Sequence, residues 1–288
     1  MFEPVWGKGD SGWLRPAVAK VGNRGLPGSW TGAVCLIEWN DTAFHVTRSE
    51  GRSPVVVVCE HASAFIPAVF QGLGLPSELR EAHIAWDPGA LDVARTMSER
   101  LDAPLVSGAI SRLVYDCNRP PEAADAVPER SEVHDIPGNA GLSQTALDAR
   151  AAKVYHPFHS ALNQILDARP TMAILVTVHS FTPVYRGVRR DVELGILHDS
   201  DSRLADAMLD GFAGRGDLVV ERNKPYGPED GVTHTLRRHA LPRGLLNVMI
   251  EIRNDLLTDA TACTDFGEML ADRLTAAVAT CRQAEGAA

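Results

Sequence analysis

Several stretches of this chain end in groups that can do chemistry. "VVVVCEH" finishes on Glu60 and His61, "AILVTVHS" on His179 and Ser180, and "NVMIEIRN" carries Glu251 near its end. "RLVYDCNR" closes on Asn118 and Arg119, and "HIAWDPGA" sets Asp87 before a proline where a helical pattern begins. Two histidines with carboxylates are the ligand set of a catalytic zinc site, which keeps a position open for water. Such a metal lowers the pKa of that water toward neutrality and polarises a bound carbonyl. A separate carboxylate must then carry protons. Glu251 suits that role, and His61 and His179 suit ligation. Each group also has a plainer explanation. A histidine at a strand end can be a hydrogen-bonded structural group, Glu251 can pair with Arg253, and Asp87 can cap a helix.

These residues need elements that bring them together. From Pro54 onward the chain alternates between apolar runs and helical spacing. "PVVVVCEH", "MAILVTVHS", "VELGILHD", "DLVVERN" and "LLNVMIEIRND" predict strands, the continuous apolar ones buried on both faces of a sheet. "APLVSGAISRLVYDCN" predicts one or two more. Helices are expected over 82–101, with Leu91, Ala94, Met97 and Leu101 in one stripe, from a cap at Ser143 to about 168, over "DSRLADAMLDGF", and over 266–283. Pro157 should kink or divide the second. The expected architecture is α/β, a central mixed, mainly parallel sheet flanked by helices. In such sheets ligands bind beyond the carboxyl ends of the strands. Residues 46–288 form one α/β catalytic domain on this reading. Residues 1–45, rich in Gly, Trp and Pro with a possible strand at "GAVCLIEW", form an N-terminal extension.

The bulk properties narrow the function classes. The chain has 288 residues, 45% of them hydrophobic and 23% charged, and a net charge of −9. That balance speaks against a nucleic-acid-binding face. No apolar run approaches the roughly 20 residues that cross a bilayer, so no membrane association is expected. The opening "MFEPVWGKGDSGWLRP" has no charged-then-apolar leader pattern, and a cytoplasmic location is expected. Five cysteines, widely spaced and without a CxxC pair, argue against a disulfide framework or a zinc knuckle.

"VCEHAS…IP", "HIAWDPGA", "SRLVYDCNRPP", "VTVHSFTP" and "MIEIRNDLL", in that order over Phe44 to Leu257, resemble the N-formylglutamate amidohydrolase family. That family is distantly similar to zinc carboxypeptidases and aspartoacylase. The resemblance implies a zinc-exopeptidase-like (phosphorylase/hydrolase-like) fold and one bound Zn2+. It implies release of formate from N-formyl-L-glutamate, a small anionic amino-acid derivative, and a place in histidine degradation. His61 and His179 match metal ligands and Glu251 the catalytic base. Arg112, Asn118 and Arg119 match a clamp for the substrate carboxylates, with Arg112 also placed to stabilise the oxyanion. The His-x-x-Glu ligand pair of the zinc carboxypeptidases is incomplete, because Ala64 stands three residues after His61. Asp87 is the first choice for the third ligand and Glu60 the second. Asp116 is expected to orient an arginine. In "NKPYGPEDGVTHTLRRH", Tyr226 and Thr233 are expected to contact substrate, and Lys224 and His234 to line the pocket or a lid. His156 and His159, spaced i, i+3, suit a helical surface or interface position better than a metal. The rival functions are a metal amidase or carboxypeptidase of other specificity, and a binding protein on the same scaffold that has lost its metal.

Overall fold

The structure, a computed structural model, describes residues 40–169, 173–214 and 216–287 together with two short paired strands, Gly7–Lys8 and Leu14–Arg15. The contacts divide the chain into units 1–41 and 42–288. The possible strand at 32–39 lies outside the described residues.

The second unit is built on a seven-stranded sheet. Its strands are β1 (Phe44–Thr47), β2 (Val55–Cys59), β3 (Leu105–Gly108), β4 (Ile174–Phe181), β5 (Leu194–Leu197), β6 (Val220–Arg222) and β7 (Leu246–Arg253). The spatial order is β6-β5-β7-β4-β2-β3-β1. β2 runs parallel to β3 and β4, β4 to β7, and β5 to β6; β1 and β5 are antiparallel to β3 and β7. The sheet is thus mixed and mostly parallel, with helices flanking it. β2, β4 and β7 are buried along their whole length, as continuous apolar runs covered on both faces must be.

The twofold alternation of a strand separates the two faces. Val55, Val57 and Cys59, Ile174, Val176 and Val178, and Val248, Ile250 and Ile252 pack in one apolar layer. That layer is shared with α1 (Ala90–Leu101), α4 (Arg203–Phe212) and α5 (Ala260–Ala287). α1 starts later than its sequence pattern suggests, and its buried face is Ala90, Val93, Ala94 and Met97. α1 and α5 cross closely: a Cβ on Gly267 would lie 2.5 Å from Thr96 Cβ. The alternate residues face the other way, so His179 and Glu251 share the opposite face. They are register partners on adjacent parallel strands.

α2 (Gln144–Arg150) begins at Ser143, whose hydroxyl accepts from Ala146 N–H. The chain then passes through a π turn, Ala151–Tyr155, into α3 (His156–Asp167). The division expected at Pro157 thus takes the form of a wider turn just upstream.

One expected strand is absent. Residues 110–119 form buried turns. Ser111 Oγ donates to the Ala85 carbonyl (2.8 Å) and accepts from Leu113 N–H (3.2 Å). Asp116 Oδ1 accepts from Asn118 N–H (2.8 Å). Side-chain oxygens that bond the backbone two residues ahead compete with a ladder and win here over the β-forming Leu-Val-Tyr run. The result stitches the segment to the loop before α1. The described cysteines, Cys59, Cys117, Cys263 and Cys281, are free and buried. Among the described residues no helix is long and apolar enough to cross a membrane.

Candidate active site

β2 ends at Cys59, so Glu60 and His61 sit in a turn rather than alternating across the sheet. Both therefore reach the same buried cluster. The backbone is tight there: a Cβ on Gly108 of β3 would lie 2.1 Å from the Glu60 carbonyl oxygen. Asp87 is tied to the same turn by its N–H, which donates to the His61 carbonyl (2.9 Å).

The imidazoles of His61 and His179 meet edge to face, 4.9 Å apart between centroids. Their Nδ1 atoms converge on one oxygen, Asp87 Oδ2, at 3.2 and 2.9 Å. One ligand atom from each of these three buried residues falls within 4.8 Å of the others. Each ring has a second carboxylate behind it. His61 Nε2 lies 2.7 Å from Asp116 Oδ1. His179 Nε2 lies 3.1 Å from Glu60 Oε2, an ion-pair distance without the alignment of a hydrogen bond. Arg112 bridges the carboxylates, Nη2 to Asp116 Oδ2 at 2.8 Å and Nη1 to Asp87 Oδ1 at 3.5 Å.

This charge pattern shifts every member. Burial lowers the His179 pKa, but Glu60 and Asp87 outweigh it and hold the ring well above its ordinary value. Burial and Arg112 lower His61, and Asp116 with Asp87 raises it on balance. Burial raises Asp87 and Asp116, yet the neighbouring imidazoles and Arg112 bring both below the usual carboxylate range. Glu251 is the exception. Burial pushes it up to about 7, more than the nearby imidazoles pull it down. Its Oε2 is buried without a hydrogen-bond partner.

The donor set fits a divalent metal. Two imidazole nitrogens and one carboxylate oxygen converge, and both outer nitrogens face carboxylates, the arrangement that fixes the tautomer and orientation of metal-bound histidines. The three residues line a cavity of about 480 Å³. Asp87 contributes the converging oxygen, whereas Glu60 stands behind His179.

His61, Asp87, Arg112, Asn118, Arg119, His179, Tyr226 and Glu251 all line this cavity. Thr233 does not; its hydroxyl donates to Asp199 (2.7 Å). His234 bonds the Tyr155 hydroxyl at 2.7 Å, away from the cavity walls. The Asn118 amide is spent on the fold, donating to the Val232 carbonyl at 2.5 Å and accepting from Thr235 N–H at 3.0 Å. Arg119 pairs with Asp125 at 2.7 Å and donates to the Asn118 and Gly231 carbonyls. His159 is buried against His239 and the Cys117 carbonyl, and His156 is exposed. Asp116 orients Arg112 as expected, and holds His61 as well.

Sequence reasoning missed the rim. Two hairpins form it, Arg130–Ser131 with His134–Asp135, and Val184–Tyr185 with Val188–Arg189. Glu132 ties them together, accepting from Arg186 N–H (3.0 Å) and meeting His83 Nε2 (3.0 Å). They bring Glu132, Tyr185 and Arg190 to the cavity, where His83 joins them from the turns before α1. Arg186 and Gly187 both adopt positive φ, the signature of a tight two-residue hairpin. The "RG" pair was the available signal.

A buried His-Asp-His cluster beside a lone carboxylate, at the strand ends of a mixed α/β sheet, is the layout of a hydrolase centre. The family model for N-formylglutamate amidohydrolase matches residues 53–258, and the chain belongs to that family; it is an amidohydrolase-type enzyme. Among solved structures, a gene product of Agrobacterium tumefaciens, Atu2144, is 51% identical over 84% of this chain and 97% of that one, with a TM-score of 0.82. An N-formylglutamate amidohydrolase from Ralstonia eutropha JMP134 shares the fold, at 18% identity over 82% of this chain and 99% of that one, with a TM-score of 0.55. No curated protein matches the chain.

Proposed function

We propose that the protein hydrolyses the formamide bond of N-formyl-L-glutamate, or of a close N-acyl acidic amino acid, to the free acid and amino acid. His61, Asp87 and His179 would hold one divalent metal, zinc by the chemistry of the donor set. When bound, the metal supplies Lewis acidity, lowering the pKa of water and polarising a carbonyl. The observation that carries this reading is the convergence of two Nδ1 atoms on Asp87 Oδ2 with Glu251 in register beside His179.

The residues divide the work. Glu251, in register beside His179 and with Oε2 unpaired, accepts the proton of the attacking water and returns it to the leaving nitrogen. A base with a pKa near the working pH does both well. Asp116 and Glu60 keep the outer nitrogens of His61 and His179 occupied. Arg112 commits one Nη to each of two carboxylates, and its remaining N–H groups are available to the oxyanion that forms on attack. Arg119 and Asn118 shape the wall nearby.

The test is glutamate release from a panel of N-formyl-, N-acetyl- and N-formiminoglutamate, with and without added Zn2+. Metal-dependent turnover highest on the formyl substrate is expected. Turnover confined to another acyl group would shift the assignment to a different amidase. Absence of both turnover and stoichiometric divalent metal would favour a binding protein.

A further inference from the structure

We infer that Arg190 is the receptor for the side-chain carboxylate of the substrate, and so sets the preference for acidic amino acids. This rests on the amidohydrolase reading above and adds the residue that selects the substrate.

Three arginines line the cavity. Arg112 is neutralised by Asp116 and Asp87. Arg119 pairs with Asp125. Arg190 has no carboxylate partner among the described residues. Its Nη1 reaches the Thr182 carbonyl at 3.3 Å. Its guanidinium lies over the rings of Tyr185, Tyr226 and Phe181, at 4.6, 4.7 and 5.5 Å from their centroids.

Aromatic faces hold a guanidinium by its flat sides and leave N–H groups on its edge for a ligand. That edge is the part of arginine that binds a carboxylate through two parallel bonds. The side chain is also well placed before any ligand arrives. Arg190 N–H donates to the Pro183 carbonyl (2.8 Å) and closes the base of the hairpin. The hairpin tip is fixed to the opposite rim through Arg186 N–H and Glu132. A ligand therefore meets a cation whose orientation is already set, which lowers the ordering cost of binding.

Position decides which carboxylate it receives. Arg112 touches Asp87 and so sits at the reacting centre. Arg190 shares the cavity but bonds none of His61, Asp87, His179 or Glu251. In an N-acyl glutamate the α-carboxylate lies close to the amide, and the side-chain carboxylate lies farther along the molecule. The cation outside the metal cluster matches the carboxylate that lies farther from the amide.

The experiment compares kcat/KM for N-formylglutamate and its neutral analogue N-formylglutamine, for wild type, Arg190→Gln and Arg190→Lys. The wild type should prefer the acid. Arg190→Gln should lose roughly 10- to 100-fold on the acid, mostly through KM, as expected for a lost charge-assisted hydrogen-bond pair. Its preference should collapse toward unity, while Arg190→Lys, which keeps the charge without the fork, should retain part of it. An Arg190→Gln enzyme that keeps the wild-type preference overturns the inference. If the wild type cleaves neither compound, the N-formylglutamate assignment fails on its own. Calorimetry with glutarate and its monoamide then still decides the role of Arg190. Selective loss of glutarate binding in Arg190→Gln supports it, and equal affinity in both proteins overturns it.

Discussion

Glu251 and Asp116 are both buried carboxylates near His61, yet their surroundings assign them opposite tasks. Asp116 is held low by His61 and Arg112, so it stays an anion and works as a fixed acceptor. Glu251 has no such partner on Oε2 and is pushed up to about 7, so it can change protonation during turnover. Glu251→Gln should therefore lower kcat by roughly a thousandfold or more, the scale of a lost general base. Metal content and KM should change little. Steady-state formate release with parallel metal analysis checks this, and near-normal turnover would remove Glu251 from the mechanism. Asp116→Asn should act differently. It leaves the ligand atoms in place but weakens the support behind His61, a change that typically costs 10- to 100-fold in metal affinity. Competition dialysis against a chelator would read that loss directly, and unchanged affinity would count against Asp116 as the group that orients His61.

At the level of elements, the central strands were legible because burial on both faces forces an apolar run. Alternation along β4 and β7 then placed His179 and Glu251 on one face. The third ligand was legible as a preference for Asp87 over Glu60; because β2 ends at Cys59, strand alternation does not separate Glu60 from His61, and Glu60 reaches the cluster from behind His179. Residues 110–119 misled because Ser111 and Asp116 turn the chain in a segment whose side chains favour strands. Arg190 and Glu132 were invisible because the hairpins that carry them to the rim are held there by contacts distant in sequence, Glu132 with Arg186 N–H. The helix layer offers a test where two magnitudes oppose each other. Gly to Ala inside a helix gains up to about 1 kcal/mol from propensity alone. At Gly211 of α4 the nearest atom to an added Cβ is the Arg273 side chain at 3.8 Å, so Gly211→Ala should stabilise by up to that amount. At Gly267 the added Cβ meets Thr96 Cβ at 2.5 Å and the Val93 carbonyl oxygen at 3.0 Å, and overpacking of that kind costs about 1–3 kcal/mol. The crossing should win, leaving Gly267→Ala less stable than wild type while Gly211→Ala is more stable. Urea midpoints compare them, and a stabilised Gly267→Ala would mean that α1 and α5 separate at little cost.

For the molecule as a whole, two groups of titratable side chains respond to pH in opposite senses. The metal cluster holds His61, His179 and Glu251 above their ordinary values. In metal-free protein these groups favour the folded state at low pH, and that contribution is lost as pH rises through their folded pKa values, about 7 for Glu251. Behind the site, His159, His234 and His239 form a second group with Tyr155. Burial, with Arg238 adding to it, lowers His234 to about 4 and His239 to about 3, and burial with His239 lowers His159. The unfolded chain protonates these rings near 6.5, and the folded chain resists until far lower pH. Stability therefore falls as pH drops from about 6.5 toward 4, by at most ~1.4 kcal/mol per pH unit for each ring. Glu251 offsets part of this, because between its unfolded pKa of about 4.3 and its folded value of about 7 it binds more proton when folded. Three rings oppose one carboxyl, so the acid-side loss should dominate. The low-lying carboxylates Asp87 and Asp116 add to it only below about 4. Chelator-treated protein should thus be most stable between about pH 6.5 and 7. His234→Gln removes one titrating ring while keeping an amide within reach of the Tyr155 hydroxyl, which His234 meets through Nε2, and should flatten the acid limb by up to one proton. Urea unfolding of both proteins from pH 4.5 to 8.5 gives the two slopes. A wild-type curve level between 4.5 and 6.5 would show that the rings are protonated in the native state after all, and that burial does not keep them neutral.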